Sequence, residues 1–245
     1  MKAENTTKKL IPLIDLTSLD DQEDTLQTIE KLCHKAKTPY GFIAAVCIYP
    51  QFVKLTYKLL MNTPVKVATV ANFPNGNQLI TDCIETIKQS IADGADEIDV
   101  VMPYATYLEG NTGSVKEFLQ VCRGICTPPT VLKVIIETGA LINHDVIFSA
   151  TNLAIQTGAD FIKTSTGKTT TGATPKAVEL ILEAIKNYLD KKIGLKISGG
   201  VRTIEQALAY FQLVEKNMGK EWISPNTVRF GASRLLDEIL TVDLK

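Results

Sequence analysis

Short runs of β-branched and aliphatic residues recur along the chain about every 30 residues, and amphipathic stretches lie between them. That interval is the length of one strand followed by one helix. The pattern predicts eight strands, at residues 11–17, 42–49, 65–73, 97–104, 131–139, 161–167, 194–200 and 227–233. The chain therefore reads as a series of eight βα units.

The intervening stretches have helical periodicity. The clearest one, over residues 79–92, has apolar side chains spaced by three and four positions, at Leu79, Cys83, Ile84, Ile87 and Ile91. Three helices also carry residue types that cap an N-terminus. These expected caps are Asn77, Thr174 before Pro175, and Thr203 two residues before Glu205.

No linker rich in Pro, Gly or Ser and no charge block divides the chain. Eight βα units in 245 residues predict one α/β domain, residues 1–245, folded as a single (β/α)₈ TIM barrel. The alternative is a doubly wound sheet, which would want a G-x-G-x-x-G turn after its first strand. The chain has DLTSLD at residues 15–20 instead. The barrel is the favoured fold.

Charge and hydropathy narrow the class of partner. The formal net charge is −1, so neither nucleic acid nor an anionic membrane is an expected partner, and a small molecule is. The N-terminal segment has no apolar stretch of signal-peptide length, and the longest apolar run, at residues 42–49, is far shorter than a bilayer span, so we expect a cytoplasmic protein. Five cysteines without a Cys-x-x-Cys pair and two isolated histidines predict neither disulfides nor a metal site.

Ionisable residues interrupt four of the predicted strands. They are Asp99, Lys133 with Glu137, Lys163 and Lys196. Side chains alternate between the two faces of a strand, so Lys163 and Lys196 would both point at the barrel axis if their face is the interior. Buried lysines are rare without partners. One interpretation is structural, with the lysines in ion pairs to Asp99 and Glu137. The other is catalytic.

The catalytic interpretation follows from the chemistry of lysine. Burial and a neighbouring ammonium depress the pKa of an amine, and a neutral lysine attacks a carbonyl to form a Schiff base. The protonated imine stabilises a carbanion at the adjacent carbon, which suits aldol cleavage or carbonyl isomerisation. With Lys163 as nucleophile beside Lys196, Asp99 is the leading proton shuttle, through a water, and Asp15 and Glu137 are weaker candidates.

Glycine-rich segments end the last three predicted strands. They read STGK at 165–168, SGGVR at 198–202 and FGAS at 230–233. Glycine lets the backbone approach an anion closely, and Lys168 and Arg202 can neutralise a phosphate. Each segment alone is more typical of a turn. Three at adjacent strand ends, where TIM barrels often bind phosphate, favour a phosphate site.

The chain resembles the deoxyribose-phosphate aldolase family. The resemblance rests on GADEIDVVMPY, KVIIETG, GADFIKTSTGK, KISGGVRT and RFGAS, and DLT, AAVCIYP and VANFPNG extend it over nearly the whole chain. It implies a class I aldolase, with no metal and no cofactor, that reversibly cleaves 2-deoxy-D-ribose 5-phosphate to acetaldehyde and D-glyceraldehyde 3-phosphate. It also makes a homodimer through the outer helices an expectation.

The same resemblance implies residue roles. Lys163 would form the Schiff base, Lys196 would perturb it, and Asp99 would shuttle the proton. Lys133 would join the polar network around Asp99, and Asp15 is placed in the same supporting group. The substrate-binding and phosphate-binding residues would be Gly167, Lys168, Gly199, Gly200, Val201, Arg202, Gly231 and Ser233.

Three features depart from the family pattern. Ile197 stands where Pro or Ala is usual, Arg234 stands where some members have Ser, and the sequence ends in TVDLK without a tyrosine-ended tail. We expect a changed contour beside Lys196 and an extra cation that lies near the phosphate or points to solvent. We expect any contribution of such a tail to be absent or replaced.

Rival functions remain open at this point. Another Schiff-base sugar-phosphate aldolase or a transaldolase would share the lysine and the phosphate loops. A pyridoxal phosphate enzyme would also use both features, and its purified protein would be yellow. A non-catalytic sugar-phosphate-binding barrel would have no use for a lysine of depressed pKa.

Overall fold

A computed structural model describes residues 7–242 of the 245-residue chain. Eight parallel strands close into a barrel in sequence order, and the last strand pairs with the first. The (β/α)₈ TIM barrel prediction is confirmed. The strands are β1 (Ile14–Thr17), β2 (Ala45–Ile48), β3 (Lys66–Ala71), β4 (Glu97–Val101), β5 (Val131–Ile135), β6 (Phe161–Lys163), β7 (Gly194–Ser198) and β8 (Val228–Ala232).

Helices surround the barrel and cover its outer face. They are α1 (Leu26–Lys35), α2 (Val53–Leu60), α3 (Ile80–Ala92), α4 (Tyr104–Leu108), α5 (Thr112–Ile125), α6 (Thr138–Leu141), α7 (His144–Gln156), α8 (Pro175–Lys186), α9 (Ile204–Met218) and α10 (Leu235–Val242). Short 3₁₀ turns occupy Ile11–Leu13, Pro50–Phe52 and Lys220–Trp222. No helix within residues 7–242 combines the length and hydropathy that a membrane crossing requires.

Two of the three predicted helix caps are confirmed. The Thr174 side chain accepts from the Ala177 N–H, and Thr203 forms a capping box with Gln206. The prediction for Asn77 is wrong, because α3 begins at Ile80. The Asn72 side chain, at the end of β3, accepts from the Gln78 N–H over 2.8 Å. This bond ties the start of the segment to the barrel, and the N-cap position falls on Leu79, two residues after Asn77.

The second predicted strand is shorter than its apolar run. Gly41–Phe42 pairs antiparallel with Lys37–Thr38 in a small hairpin, and only Ala45–Ile48 joins the barrel. Gly41 has a φ of 114°, a conformation that glycine adopts with little strain. The hydrophobic run at residues 42–49 therefore serves two elements, which periodicity alone does not separate.

The apolar core lies between the strands and the helices, and the barrel interior is charged. On β4, Ile98 and Val100 join the outer core, while Glu97 and Asp99 face inward. On β7 the outward residues are Leu195 and Ile197. Because Ile197 packs outward, it does not form the wall beside Lys196. The sequence end, residues 243–245, lies outside the described residues, and so does the expectation about a tail.

Candidate active site

Asp99 stands at the centre of a cluster of three lysines inside the barrel. The Nζ atoms of Lys163 and Lys196 each lie 2.8 Å from Oδ2 of Asp99, and Nζ of Lys133 lies 2.8 Å from Oδ1. Strand register explains the convergence, since Lys163 is paired with Lys196 across β6 and β7, and Asp99 with Lys133 across β4 and β5. The two lysines point at one axis, as the alternation predicts.

A second group of charges lies beside the first. Arg229 donates to Oδ1 of Asp15 over 2.6 Å and to Oε1 of Glu97 over 2.9 Å. Asp15 also lies 2.7 Å from Nζ of Lys196, and Glu97 lies 2.5 Å from Nζ of Lys133. Sequence reasoning did not single out Glu97 or Arg229. The same alternation could have identified them, because they precede Asp99 and Gly231 by two positions on their strands.

The surroundings shift the pKa values of Lys163 and Lys196 in opposite directions. Burial lowers the pKa of Lys163, and the Lys196 ammonium adds to that effect against the opposing attraction of Asp99. Burial also acts to lower the pKa of Lys196, but Asp15 and Asp99 outweigh it and hold that pKa well above its usual value. Of the two, Lys163 is therefore the lysine that gives up its proton more readily, and Lys196 is the one that holds it.

The carboxylates remain ionised despite complete burial. Burial raises the pKa of Asp99, but the ammonium groups of Lys133, Lys163 and Lys196 hold it well below its ordinary range. Asp15 also has a lowered pKa, because Lys196 and Arg229 overcome the effect of its burial. Ionised Asp99 can accept a proton from a group at Lys163, which lies within direct hydrogen-bond distance.

Glu137 is not an ion-pair partner of the lysines, so that expectation is wrong. Strand β5 ends at Ile135, and Glu137 has a φ of 53°, which breaks the alternation that would have turned it inward. Its carboxylate accepts instead from the hydroxyl of Thr166 over 2.6 Å and from that of Thr169 over 3.2 Å. Glu137 therefore holds the loop after β6 in place.

Lys163 opens onto a cavity of about 440 Å³ at the carboxyl ends of the strands. Its side chain is 2% exposed, so the amine lies at the base of the cavity rather than on the surface. Every phosphate-loop residue predicted from sequence lines this cavity, namely Gly167, Lys168, Gly199, Gly200, Val201, Arg202, Gly231 and Ser233. Arg234 lines it as well, which places the additional cation at the cavity rather than away from it.

Glycines shape the cation-lined end of this cavity. Gly167, Gly199 and Gly200 have φ values of 80°, 85° and 87°, in the left-handed region where other residues are strained. Gly172 packs against the same segment, because the Ala173 N–H donates to the Gly199 carbonyl over 2.9 Å. A Cβ on Gly172 would lie 2.2 Å from that carbonyl oxygen. The two loops therefore require glycine at their contact.

Replacing Gly172 with alanine is expected to push these loops apart. Overpacking of this kind lowers the unfolding free energy by about 1–3 kcal/mol. Because the displaced loops contain Gly167 and Gly199, the variant should also bind a phosphorylated ligand more weakly. The matched control is Gly124→Ala, in α5, where a Cβ meets nothing within 4 Å and a small gain in stability is expected. Chemical denaturation of both variants checks this, and equal stability would contradict the predicted steric contact.

Three further residues border the site without entering the charged cluster. Cys47 is buried 3.9 Å from Asp99, and burial raises the pKa of its thiol. Tyr49 and Phe73 form an edge-to-face pair with centroids 6.0 Å apart. Both pack in the apolar cluster of Leu19, a residue of the cavity wall. Within residues 7–242, no three His, Cys, Asp or Glu side chains are arranged to hold a metal ion.

Comparison with known proteins places this chain among aldolases. Residues 9–236 match a family model described as DeoC/LacD family aldolase. A Coccidioides immitis structure, provisionally described as a deoxyribose-phosphate aldolase, is 31% identical, with a TM-score of 0.83 over 97% of this chain and 87% of its own. An aldolase designated QR15 is also 31% identical, with a TM-score of 0.80 over 96% of this chain and 97% of its own.

A more distant structure shares the fold. Deoxyribose phosphate aldolase from Aeropyrum pernix, described as having a unique tetrameric structure, is 23% identical to this chain. Its TM-score is 0.78, over 98% of this chain and 97% of its own. The two chains therefore share the barrel fold over nearly their whole lengths.

Proposed function

Because the chain belongs to the DeoC/LacD family of aldolases, we propose that it cleaves 2-deoxy-D-ribose 5-phosphate reversibly through a Schiff base on Lys163. The products are acetaldehyde and D-glyceraldehyde 3-phosphate. The observation that carries the proposal is the position of Lys163, whose amine lies at the base of a cavity lined by Lys168, Arg202 and Arg234. A phosphorylated aldehyde fits this site, because its carbonyl can react with the amine and its phosphate can bind the cations.

The reaction begins when the neutral amine of Lys163 attacks the C1 aldehyde of the open-chain sugar. The resulting carbinolamine takes up one proton from the solvent at its hydroxyl, and loss of water then gives a protonated imine. A base removes the proton of the 3-hydroxyl, the C2–C3 bond breaks, and its electron pair moves into the imine to form an enamine. Glyceraldehyde 3-phosphate leaves. Protonation of the enamine carbon and hydrolysis then release acetaldehyde and restore Lys163.

Lys196 and Asp99 have different roles in this reaction, the first electrostatic and the second in proton transfer. Lys196 stays protonated, and its charge beside Lys163 favours the neutral nucleophile. Asp99 contacts both amines over 2.8 Å, so its carboxylate can take the proton that the attacking amine loses and pass it to the departing hydroxyl. After cleavage it can in the same way deliver a proton to the enamine, directly or through a water. No step requires a group beyond those of the chain and the substrate.

Removing a cation from the phosphate loops is expected to weaken binding of phosphorylated substrate selectively. Arg202→Met should lower kcat/KM for 2-deoxyribose 5-phosphate by about 10- to 100-fold, the worth of one charge-assisted hydrogen bond. The value for unphosphorylated 2-deoxyribose should change by less than about 2-fold, because that sugar presents no phosphate. Steady-state kinetics on both sugars measure the difference.

A surface lysine offers the control for this experiment. Lys58 lies exposed on the outer helix α2, and Lys58→Met removes the same charge without touching the cavity. The Lys58→Met variant should turn over both sugars at the rate of the unaltered enzyme. Equal losses on the two sugars for Arg202→Met would show that Arg202 supports the loop rather than the phosphate.

The substrate itself is tested by turnover of several sugars side by side. Production of glyceraldehyde 3-phosphate from 2-deoxyribose 5-phosphate, with little from fructose 6-phosphate or fructose 1,6-bisphosphate, supports the proposal. Preference for a fructose phosphate would favour another Schiff-base aldolase or a transaldolase. Binding of these sugars without any turnover would favour the non-catalytic barrel.

A further inference from the structure

The buried charges of the barrel interior form a closed ring. Cations and anions alternate around it, and each member lies within 2.9 Å of the next. We call it the charge ring, and its members in order are Arg229, Asp15, Lys196, Asp99, Lys133 and Glu97, which returns to Arg229. Lys163 is not a member. It attaches from the cavity side, through the Asp99 oxygen that Lys196 also contacts.

The charge ring is electrically balanced without Lys163, since it contains three cations and three anions. A protonated Lys163 would give the seven groups, whose side chains are almost fully buried, a net charge of +1. An uncompensated buried charge is costly, and losing a proton is the least expensive way to remove it. Charge balance around the ring, and not Lys196 alone, then disfavours a proton on Lys163.

Other ionisable groups face Lys163 from neighbouring elements. Cys47 on β2 lies beside Asp99, and burial raises its pKa, so it carries no charge to the site. Glu137, after β5, is buried but is bonded to the Thr166 and Thr169 hydroxyls, and no ion pair joins it to the described lysines. The other charged residues of the cavity lining are exposed at its open end, where water screens them, and they are Asp20, Glu23, Lys168, Arg202 and Arg234.

Arg229 lies on the side of the charge ring away from the cavity. Its Nε donates to the Pro225 carbonyl, in the loop before β8, and its guanidinium stacks on the Phe161 ring at 5.6 Å. Neither Arg229 nor Glu97 lines the cavity. Substrate therefore cannot reach these two residues, and any effect they have on the reaction passes through the ring.

We propose that Arg229 and Glu97 are positioning residues that set the ionisation state of Lys163 from outside the substrate cavity. The inference builds on the proposed function, in which Lys163 is the nucleophile. Removing the charge of Arg229 leaves the ring with a net charge of −1, which a proton on Lys163 would balance. Removing the charge of Glu97 leaves a net charge of +1, which opposes that proton further. The two changes therefore act in opposite directions.

The test measures the titration of Lys163 in single and double variants. The full-length protein is labelled with acetic anhydride across a range of pH, and peptide mass spectrometry gives the midpoint of Lys163 labelling through the cavity. Arg229→Met should raise that midpoint by about one pH unit or more, and Glu97→Gln should lower it. Combining both changes restores a balanced ring and should bring the midpoint back toward that of the unaltered protein.

Two outcomes would overturn the inference. Midpoints equal to that of the unaltered protein would show that the ring does not act on Lys163. Shifts of the same sign in both single variants would show general loosening of the barrel. Arg229→Lys keeps the charge and should keep the midpoint even if its melting temperature falls. If Arg229→Met does not fold, Glu97→Gln and Arg229→Lys together still decide the question.

The labelling is done without substrate, so its result does not depend on the proposed reaction. A low Lys163 midpoint that moves as expected, together with no imine formation, would leave the charge ring inference standing and remove the proposed function. Imine formation with unmoved midpoints would do the reverse. Where both hold, the pH profile of kcat/KM should shift with the labelling midpoint, which a purely structural role would not cause.

Discussion

Lys163→Leu is expected to abolish cleavage of 2-deoxyribose 5-phosphate, with a loss of kcat on the order of 10⁴-fold or more, since no imine can form without the amine. The variant should still fold. The charge ring stays balanced, and leucine removes an amine whose protonation that balance disfavours, so the melting temperature should be unchanged or higher. A coupled assay for glyceraldehyde 3-phosphate and a thermal melt measure the two effects.

Lys58→Leu is the matched control, because it makes the same change at an exposed position on α2. It should retain full activity. Residual turnover of Lys163→Leu above about one per cent of the original rate would mean that another group is the nucleophile. A loss of both activity and folding in Lys163→Leu would mean that the amine is protonated and structural.

The second large effect is expected at Asp99. Asp99→Asn should lower kcat by about 10²- to 10⁴-fold, because the amide keeps the shape of the carboxylate but cannot accept a proton. It should also lower the unfolding free energy by about 3–5 kcal/mol, since Lys133 and Lys196 each lose one of their charge partners. Kinetics and chemical denaturation check the two values.

Imine formation and proton transfer separate in this variant. Asp99→Asn removes one negative charge from the interior, which makes its net charge more positive and disfavours a proton on Lys163. The amine therefore remains able to trap acetaldehyde. Exchange of the methyl protons of acetaldehyde in D₂O, followed by NMR, should be slow, because it requires the enamine. Fast exchange would contradict the assigned role of Asp99. Asp190→Asn, at an exposed loop position, is the control and should behave as the original protein.

Periodicity predicted the barrel because each βα unit repeats the same local physics. Eight apolar runs at one interval, and the absence of a linker, left few alternatives to a closed sheet. Boundaries were harder to predict. The run at 42–49 also supplies a hairpin, and α3 starts after a segment held by Asn72, since both depend on contacts between residues that lie apart along the chain.

The site was predictable where side chains follow strict alternation. Lys163 and Lys196 meet because both lie on inward positions of adjacent strands. The same alternation wrongly predicted that Glu137 pairs with the lysines, because the backbone leaves strand geometry just before this residue. Arg229 was missed because an arginine before a glycine-rich loop reads as a solvent-exposed charge. Strand alternation would have placed Arg229 on the inward face, but only the closed barrel shows that its partners are Asp15 and Glu97.

The Schiff base on Lys163 is tested by borohydride reduction of the protein in the presence of acetaldehyde, followed by intact and peptide mass spectrometry. No metal and no cofactor are added. The account predicts one two-carbon adduct, on Lys163, that disappears in Lys163→Leu and persists in Asp99→Asn. No adduct at Lys163, or equal labelling of many surface lysines, would contradict it and leave a phosphate-binding barrel whose buried lysines serve only its structure.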